Sequence, residues 1–369
     1  MSSIYIHIPF CKQACHYCDF HFSTSMKHKT ELVDAICKEL EMRKKHLNDK
    51  IQNIYFGGGT PSLLSFEELE QIFGTIYQFY KVSETPEITL EANPDDLSDD
   101  YLKKLSKTKI NRLSIGVQSF FQEDLKLMNR AHNAEEAEQS ILLAQRYFDN
   151  ISIDLIYGIP EMSENRWTQN IEKTIALGVP HISSYALTVE PNTALKYFID
   201  KEVISPVDDD LAKKHYDILL QKTAEAGYDN YEFSNFGKSG YFSQNNTAYW
   251  TGKFYLGIGP SAHGFVENKR SWNINHNLKY IKSINAGELP QETEILSKTD
   301  AYNEYVMTRL RTKWGVNLEE IEEKFGANFK AYLLQQAEPH FRNKLLELKK
   351  NSLKIAKSGK FLTDGIAAD

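Results

Sequence analysis

Three cysteines lie close together in the chain, directly after an apolar segment at residues 4–10. Cys11, Cys15 and Cys18 have the spacing CxxxCxxC. Thiolates are soft ligands that suit the irons of an iron–sulfur cluster. Because a [4Fe–4S] cluster has four irons, three cysteines leave one iron open to another ligand. The stretch therefore predicts a cluster-binding loop.

Two other uses of these cysteines have to be weighed. A structural zinc site holds four ligands and usually takes cysteine pairs of the C-x2-C type. A nearby histidine would supply the missing zinc ligand here: His7, His16 or His21. A disulfide framework is less favoured, because the chain is long and the fourth cysteine, Cys37, stands apart. The spacing favours a cluster and leaves zinc as the alternative.

The composition is that of a globular protein. At 369 residues the chain is long enough for about two domains and a sizeable core. Its net charge of −7 disfavours nucleic acid as a partner, because phosphate binding depends on Lys and Arg. The start of the chain lacks the basic and apolar regions of a signal peptide, and no segment approaches the roughly 20 apolar residues that span a bilayer. We therefore expect a cytoplasmic protein.

The first half of the chain alternates β-like and amphipathic helical segments, as in βα units around a parallel sheet. In the first helix, at residues 27–47, the side chains of Leu32, Ile36 and Leu40 share one face. Six such units are compatible with a partial barrel, a full barrel or an open sheet. The predicted strands are residues 4–9, 51–56, 87–92, 112–117, 151–157 and 181–187.

The alternation ends near residue 190, which divides the chain into residues 1–190, 191–297 and 298–369. The middle part is an extension of the core, rich in aromatic residues, Gly and Asn at residues 228–264. The last part is predicted to be a small, mainly helical, winged-helix-like domain. Its predicted elements are helices at 301–311, 318–325 and 329–351 and a hairpin at 354–362.

Polar and glycine-rich positions fall near the carboxyl ends of the predicted strands, where active sites gather in βα barrels. Gly57–Pro61 follows the second strand and would let backbone approach a ligand, unless it is only a tight connection. Glu91 and Gln118 end the third and fourth strands, and a solvated carboxylate is the alternative for Glu91. Asp154 lies in an apolar strand and needs a partner, in a site or in a structural ion pair.

The cysteine motif, with Tyr17 before its last cysteine, resembles the signature of the radical SAM superfamily. There the open iron is chelated by the amino and carboxylate groups of S-adenosylmethionine (SAM). The string from Tyr5 to Cys11, YIHIPFC, and the segment Cys18-Asp19-Phe20 narrow the resemblance. They are similar to the group that contains oxygen-independent coproporphyrinogen III oxidase and the HemW heme chaperones.

The resemblance implies an α/β fold, a partial (βα)6 barrel, and a bound [4Fe–4S] cluster with SAM. It also implies radical chemistry, in which the reduced cluster cleaves the C–S bond of SAM and the 5′-deoxyadenosyl radical abstracts a substrate hydrogen. The cofactor carries that reaction, while the protein orients the reactants and excludes water.

The resemblance further implies which residues contact SAM. Gly58, Gly59 and Thr60 match a GGGTP element that contacts its amino group, and Glu91 matches a residue that binds its methionine part or ribose. Four positions correspond to residues near a second SAM in the oxidase, so two SAM molecules are an open alternative. Those four are Tyr17, Gln118, Arg130 and Asp154. The other matched positions are Tyr5, Ala186 and His263, which lies in a loop over the adenine.

Two departures separate the oxidase from the chaperone. The oxidase has a fourth cysteine where this chain has Phe20, and a long segment precedes its Tyr5 equivalent. HemW proteins carry an HNxxYW motif implicated in heme handling, which appears here as Asn245-Asn246-Thr247-Ala248-Tyr249-Trp250. Asn cannot replace imidazole as a heme ligand, so the heme ligand stays undetermined.

The expected function is that of a HemW-type protein that binds heme and transfers it to an acceptor protein. The alternative is the oxidase, which converts coproporphyrinogen III to protoporphyrinogen IX, and a cluster- or zinc-stabilised structural protein is a third reading. The resemblance implies heme or a porphyrinogen, an electron donor and a heme acceptor as partners. It also suggests a homodimer.

Overall fold

Six parallel strands, adjacent in chain order, form the centre of the fold in this computed structural model, which describes residues 2–369. Most of their residues are buried, as expected for strands covered on both faces. They confirm the predicted alternation. The strands are β1 (Ser2–Ile8), β2 (Ile51–Gly58), β3 (Val82–Ala92), β4 (Arg112–Gln118), β5 (Ile151–Tyr157) and β6 (His181–Ala186).

Helices connect these strands. The predicted apolar face of the first helix is fully buried at Leu32, Ile36 and Leu40. The helix after the second strand begins with a capping box, in which the backbone N–H of Glu68 donates to Ser65 Oγ at 3.2 Å. The helices are α1 (Lys29–Met42), α2 (Phe66–Phe79), α3 (Asp99–Leu105), α4 (Gln122–Leu127), α5 (Ala134–Ala144), α6 (Glu164–Ala176), α7 (Ala194–Asp200) and α8 (Asp209–Glu225).

The middle part of the chain extends the same sheet at both edges. Its elements are β7 (Asp229–Glu232), β8 (Asn235–Gly237), α9 (Gln244–Trp250), β9 (Phe254–Ile258), β10 (His263–Val266), β11 (Lys269–Asn273), α10 (Asn277–Asn285) and β12 (Gln291–Ile295). β9 pairs in parallel with β1, and β10 to β12 continue in antiparallel order. β8 pairs with β6, and β7 with β8. The result is one open sheet of 12 strands, as expected for a partial barrel.

A buried carboxylate ties α1 to this extension. Glu39 accepts hydrogen bonds from Arg43 at 2.9 Å, Asn273 at 2.8 Å and Tyr280 at 2.6 Å, and the N–H of Gly259 donates to it at 2.8 Å. A buried charge requires such partners, because desolvation is costly. The added strands therefore pack as part of the core.

The last part of the chain has its own apolar core and its own small sheet, in the order β13-β15-β14. Its elements are α11 (Lys298–Leu310), β13 (Val316–Asn317), α12 (Leu318–Phe325), α13 (Ala327–Arg342), β14 (Leu346–Lys349), β15 (Ser352–Ile355) and α14 (Thr363–Ala368). Helices packed on a short antiparallel sheet agree with the predicted mainly helical, winged-helix-like arrangement.

Two predicted boundaries in this part are wrong. The helix predicted to reach Asn351 ends at Arg342, and the hairpin lies at residues 346–355 instead of 354–362. Leu and Lys are good helix formers, so the segment after residue 344 resembles a helix locally. Tertiary packing decides otherwise, since Leu346, Leu353 and Ile355 bury their side chains in strand alternation.

Within residues 2–369, no helix combines the length and the apolar character needed to span a membrane.

Candidate cluster and cofactor site

The three motif cysteines lie in the loop that leaves the carboxyl end of β1. All three are unpaired and partly buried. The start of the loop is held by two backbone bonds, from the N–H of Cys11 to Ser23 O at 3.1 Å and from the N–H of Ser23 to Pro9 O at 2.8 Å. The thiols are therefore displayed at the strand ends.

The segment between α4 and α5 holds the other side of the loop. Asn129, in the left-handed region at φ 56°, donates to Ala14 O at 2.8 Å and accepts from the side chain of Gln13 at 2.9 Å. His16 donates through Nδ1 to Leu127 O at 2.8 Å. Side chains distant in sequence thus fix the cysteine loop on both sides.

Arg130 links this loop to two strands. Its guanidinium donates to Cys15 Sγ at 3.3 Å and to the Tyr17 hydroxyl at 3.4 Å. It also donates to Asn93 Oδ1 at 2.7 Å and to Gly116 O at 2.9 Å. A fixed cation beside a cysteine favours the thiolate, which is the form that binds iron.

The sulfur atoms fit an iron–sulfur cluster. Burial, together with negative charge on the neighbouring thiols, raises the pKa of Cys18 to about 11, and the same two causes raise the pKa of Cys11. Thiols whose charges raise one another's pKa lie close together. They need a cationic centre, such as iron, in order to deprotonate. Within residues 2–369, no group of three or more His, Cys, Asp or Glu side chains is arranged around a single metal ion. A cluster differs from such a site, because each cysteine binds a different iron.

The glycine turn after β2 packs against the base of the cysteine loop. The N–H of Gly59 donates to Ile8 O at 2.9 Å, and that of Thr60 donates to Phe10 O at 2.7 Å. Gly58 has φ 105° and lies against the His7 ring, whose atoms are 2.6 Å from the position a Cβ would occupy. Only glycine fits there, because a side chain would collide with the His7 ring and the backbone has a positive φ.

Glu91 lies beneath this turn. It accepts a hydrogen bond from Tyr55 OH at 2.7 Å and another from the N–H of Gly58 at 3.2 Å. Burial and, to a smaller extent, the nearby Asp154 charge raise the pKa of Glu91 to about 7. Tyr5 lies beside Tyr55, with ring centroids 6.1 Å apart, and its hydroxyl donates to His7 Nδ1 at 3.1 Å.

Asp154 and Gln118 lie on neighbouring strands of the same face. Ser114 donates to Asp154 at 3.3 Å, and Ser183 also hydrogen-bonds this carboxylate. Burial raises the pKa of Asp154 to about 6. Gln118 has φ 65°, and its amide lies beside Gly116 together with the guanidinium of Arg130. Asp154 is thus hydrogen-bonded and is not in a direct ion pair.

The structure brings most of the predicted residues into one surface, which we call the barrel mouth. Its members, in addition to the three cysteines, are Tyr5, Tyr17, Gly58, Gly59, Thr60, Glu91, Gln118, Arg130 and Asp154. Two predicted residues make no recorded hydrogen bond to this set. Ala186 ends β6 opposite Tyr157, and His263 begins β10 and stacks on Trp272.

Three residues of the mouth were not singled out from the sequence. Tyr55 holds Glu91, Asn93 bridges Thr60 and Arg130, and Tyr185 lies close enough to Asp154 for electrostatic interaction. The alternation of side chains along β2 could have indicated Tyr55. Residues two positions apart in a strand lie on the same face, and Tyr55 precedes Gly57 by two positions. No local pattern indicates that Asn93 joins two loops.

The NNxxYW segment forms α9 and packs on the inner face of the sheet. Asn245 is only 2% exposed, and its N–H and that of Gln244 point at the Glu87 carboxylate, at 3.4 and 2.9 Å. Tyr249 packs edge-on against Tyr255. The first residue of the motif therefore lies inside the protein, where a heme could not reach it without rearrangement.

Comparisons with known proteins agree with this architecture. Residues 5–174 match the family model of the radical SAM superfamily, and residues 296–362 match the HemN C-terminal domain. The solved structure of coproporphyrinogen III oxidase (HemN) from Escherichia coli, a radical SAM enzyme, superposes with a TM-score of 0.86. That match covers 100% of this chain and 89% of the oxidase at 21% identity, so it bears on the fold alone.

Two curated relatives are similar over most of their length. The heme chaperone HemW of Lactococcus lactis is 33% identical over 99% of this chain and 98% of its own. The heme chaperone HemW of Bacillus subtilis is 34% identical over 88% of this chain and 87% of its own. Both the barrel and the C-terminal part of this chain therefore have counterparts in these relatives.

Proposed function

This chain belongs to the HemW family of radical SAM proteins, and from that membership we propose that it binds heme and transfers it to an acceptor protein. The observation that carries the proposal is the nearly full-length similarity to heme chaperones. Phe20 supports it, because a phenyl ring that is 68% exposed stands where the oxidase has its fourth cysteine.

We propose that Cys11, Cys15 and Cys18 hold a [4Fe–4S] cluster, as membership of the radical SAM superfamily implies. The position of Arg130 supports this assignment, because its guanidinium lies beside Cys15 and stabilises negative charge on sulfur. When bound, the reduced cluster supplies one electron to SAM. The protein's part is to fix the loop and to exclude water from it.

SAM would lie over the glycine turn at the barrel mouth. We propose that Gly58, Gly59 and Thr60 contact its amino group and that Glu91 binds its methionine or ribose part. The bond from Gly58 N–H to Glu91 supports a shared role for these residues. Tyr5, Tyr17, Gln118, Arg130 and Asp154 would line the remaining space, and Ala186 and His263 would contribute from the rim.

The remaining partners follow from the proposed chemistry. We propose an electron donor for the cluster, an acceptor protein for heme and a homodimeric assembly. The unpaired thiols favour a reducing compartment such as the cytoplasm. We also propose that residues 1–190 form the barrel core, residues 191–297 its extension and residues 298–369 the C-terminal domain.

The test separates the chaperone from the oxidase in one anaerobic experiment. Protein with a reconstituted cluster is mixed with SAM, a reductant and coproporphyrinogen III, while a second sample is titrated with hemin. We expect hemin to bind with 1:1 stoichiometry and coproporphyrinogen III to remain unchanged. The matched control is the Cys15→Ala protein, which identifies any product that does not depend on the cluster.

Stoichiometric formation of protoporphyrinogen IX and 5′-deoxyadenosine would identify an oxidase in spite of Phe20. A protein with a full cluster that neither binds hemin nor consumes the porphyrinogen would overturn both functions.

A further inference from the structure

A cleft of about 740 Å³ opens where α9 meets the C-terminal part of the chain. One side is formed by Thr251, the residue after α9. The others are formed by α11, by the start of α12 and by the β14–β15 hairpin. Its volume lies within the range of about 300–1,000 Å³ that is usual for ligand sites. We call it the basic cleft, and none of its residues belongs to the barrel mouth.

Cations concentrate in this cleft although the chain as a whole is acidic, with a net charge of −7. Four basic side chains line it, and the only acid among its lining residues is Glu320. That carboxylate is already engaged, because it accepts from Tyr305 OH at 2.9 Å and lies 3.2 Å from Lys324. The basic residues are Arg309, Lys349, Lys350 and Lys354.

Two of these cations, Lys350 and Lys354, make no direct ion pair among residues 2–369, although Glu347, which pairs with Lys349, stands opposite Lys354 in the hairpin. Lys349 pairs with Glu347 at 2.7 Å and Arg309 lies 3.6 Å from Glu320. Across residues 2–369, no ion pair or side-chain hydrogen bond involves Lys350 or Lys354. Cations that line one cleft without direct ion pairs attract an anion with more than one negative group.

The backbone places Lys350 at a position that lysine does not favour. Lys350 and Asn351 form the two-residue loop of the hairpin, with φ 47° and 61°. Such a turn favours Asn, Asp or Gly at both positions, so lysine here carries a conformational cost.

The stem of Lys354 is accommodated by a glycine in the cleft wall. Gly315 has φ 71°, and the Cγ of Lys354 is 2.7 Å from the position that a Cβ on this glycine would take. The Cβ would meet the backbone oxygen of Leu353 even sooner, so the glycine is required by the backbone of β15, and the stem of Lys354 packs beside it in the cleft wall.

Flat aromatic side chains complete the lining. Trp314 and Tyr305 belong to the cleft, and Tyr305 also borders a second cavity of about 440 Å³. The two cavities share Thr251, Tyr305 and Arg309 and so adjoin each other. Aromatic faces bind planar ring systems, and lysines bind carboxylates.

We propose that the basic cleft binds the two propionate groups of heme, with Lys350 and Lys354 as their partners and the porphyrin edge against Trp314 and Tyr305. The inference rests on the proposed function, because heme is the planar dicarboxylate that a heme chaperone would carry. It assigns the carboxylate end of that ligand and not the iron ligand.

The test uses the full-length protein and two ligands, hemin and its dimethyl ester, which lacks the negative charges. The cleft variant is Lys350→Asn with Lys354→Gln, in which Asn also suits the turn. The control variant is Lys45→Gln with Lys107→Gln, two exposed lysines outside the cleft. Dissociation constants come from quenching of tryptophan fluorescence, and folding is checked by the melting temperature.

We expect the cleft variant to bind hemin roughly tenfold more weakly, as the loss of two charge pairs implies, with an unchanged or higher melting temperature. The control variant should match the wild type, and all three proteins should bind the ester equally weakly. Wild-type affinity of the cleft variant for hemin, or equal binding of hemin and ester by the wild type, would overturn the inference and leave the proposed function standing. No binding of hemin by the wild type would overturn both.

Discussion

The barrel mouth and the basic cleft treat charge in opposite ways. At the mouth, Arg130 is partly buried and donates to a thiol, a hydroxyl, an amide and a carbonyl. In the cleft, Lys350 and Lys354 make no direct ion pair and no side-chain hydrogen bond among residues 2–369. A cation held by several hydrogen bonds stays in place, whereas solvated lysines can gain and lose a ligand at little cost.

The difference suggests that the barrel mouth and the basic cleft have different roles. We propose that the mouth is organised in advance for a resident cofactor, because Arg130, Glu91 and Asp154 are already held by hydrogen bonds. The cleft suits a cargo that binds and leaves. Four predictions test this contrast, beginning with the largest expected effect.

Cys15→Ala should abolish cluster assembly, because two cysteines cannot hold the cluster at this loop. Iron content and visible absorption after anaerobic reconstitution measure the loss. Hemin affinity should stay within about twofold, if heme binds at the separate basic cleft. The matched control is Cys37→Ala, which removes a thiol in α1 and should leave the iron content unchanged. Loss of the cluster in the Cys37 variant would refute the ligand assignment.

Arg130→Ala should lower the free energy of unfolding by about 2–4 kcal/mol, because it leaves Asn93 Oδ1 and Gly116 O without their donor. Urea unfolding of the protein without cluster measures this. Lys12→Ala is the control on the same loop. Its ion pairs with Asp95 and Asp96 involve an ammonium group on a side chain that is 43% exposed, and they should together contribute about 1 kcal/mol or less. If Arg130→Ala and Lys12→Ala lowered the free energy of unfolding equally, the contrast between hydrogen-bonded and solvated cations would be wrong.

Gly58→Ala should destabilise the protein by about 1–3 kcal/mol, because a Cβ at φ 105° would collide with the His7 ring. Gly74→Ala supplies the opposite case within α2, where nothing lies within 4 Å of the new Cβ. That change should stabilise the helix by about 0.5–1 kcal/mol. Melting temperatures measure both, and a neutral Gly58→Ala would mean that the glycine turn is not held as described.

The buried carboxylate of the mouth should make stability depend on pH. The pKa of Glu91 is raised to about 7, so the folded state holds this proton more tightly than the unfolded state. The raised pKa makes its full contribution to the free energy of unfolding below the unfolded pKa of about 4.3. That contribution falls as the pH rises towards 7, because the buried carboxyl then loses its proton. Between pH 5 and 7.5 the wild type should lose about 1–3 kcal/mol more than Glu91→Gln.

Unfolding in urea at the two pH values gives this difference for Glu91. Lys350→Asn serves as the comparison from the basic cleft, and its pH dependence should parallel that of the wild type. Parallel curves for the wild type and Glu91→Gln would contradict the raised pKa.

Much of the fold could be predicted because the signals are local. The strand at 151–157 is recovered with its bounds, and the cysteine spacing indicates the loop directly. The hairpin near the C-terminus was misplaced because its residues favour a helix locally, and only the small core that buries Leu346 and Leu353 makes them a strand pair.

The residues of the candidate site also fall into those that the sequence could indicate and those that it could not. Cys11, Gly58 and Glu91 follow strands and could be found from motifs, although their roles remain proposals. Asn93 could not, since its importance comes from joining Thr60 to Arg130 across separate loops. The burial of Asn245 was equally invisible, because it depends on α9 packing against β1, β2 and β9.

By itself the sequence indicated the type of chemistry, since three cysteines at short spacing favour a cluster over zinc and can be read without knowing the fold. It also determined the order of the βα units, because hydrophobic periodicity is a property of each segment. Tertiary structure alone decided which charges are paired. Thr251, Trp314 and the hairpin that carries Lys350 and Lys354 are far apart in the chain and form a cleft only when α9 meets the C-terminal hairpin. Whether a lysine there meets a carboxylate or stays free depends on packing between elements, and no local pattern encodes it.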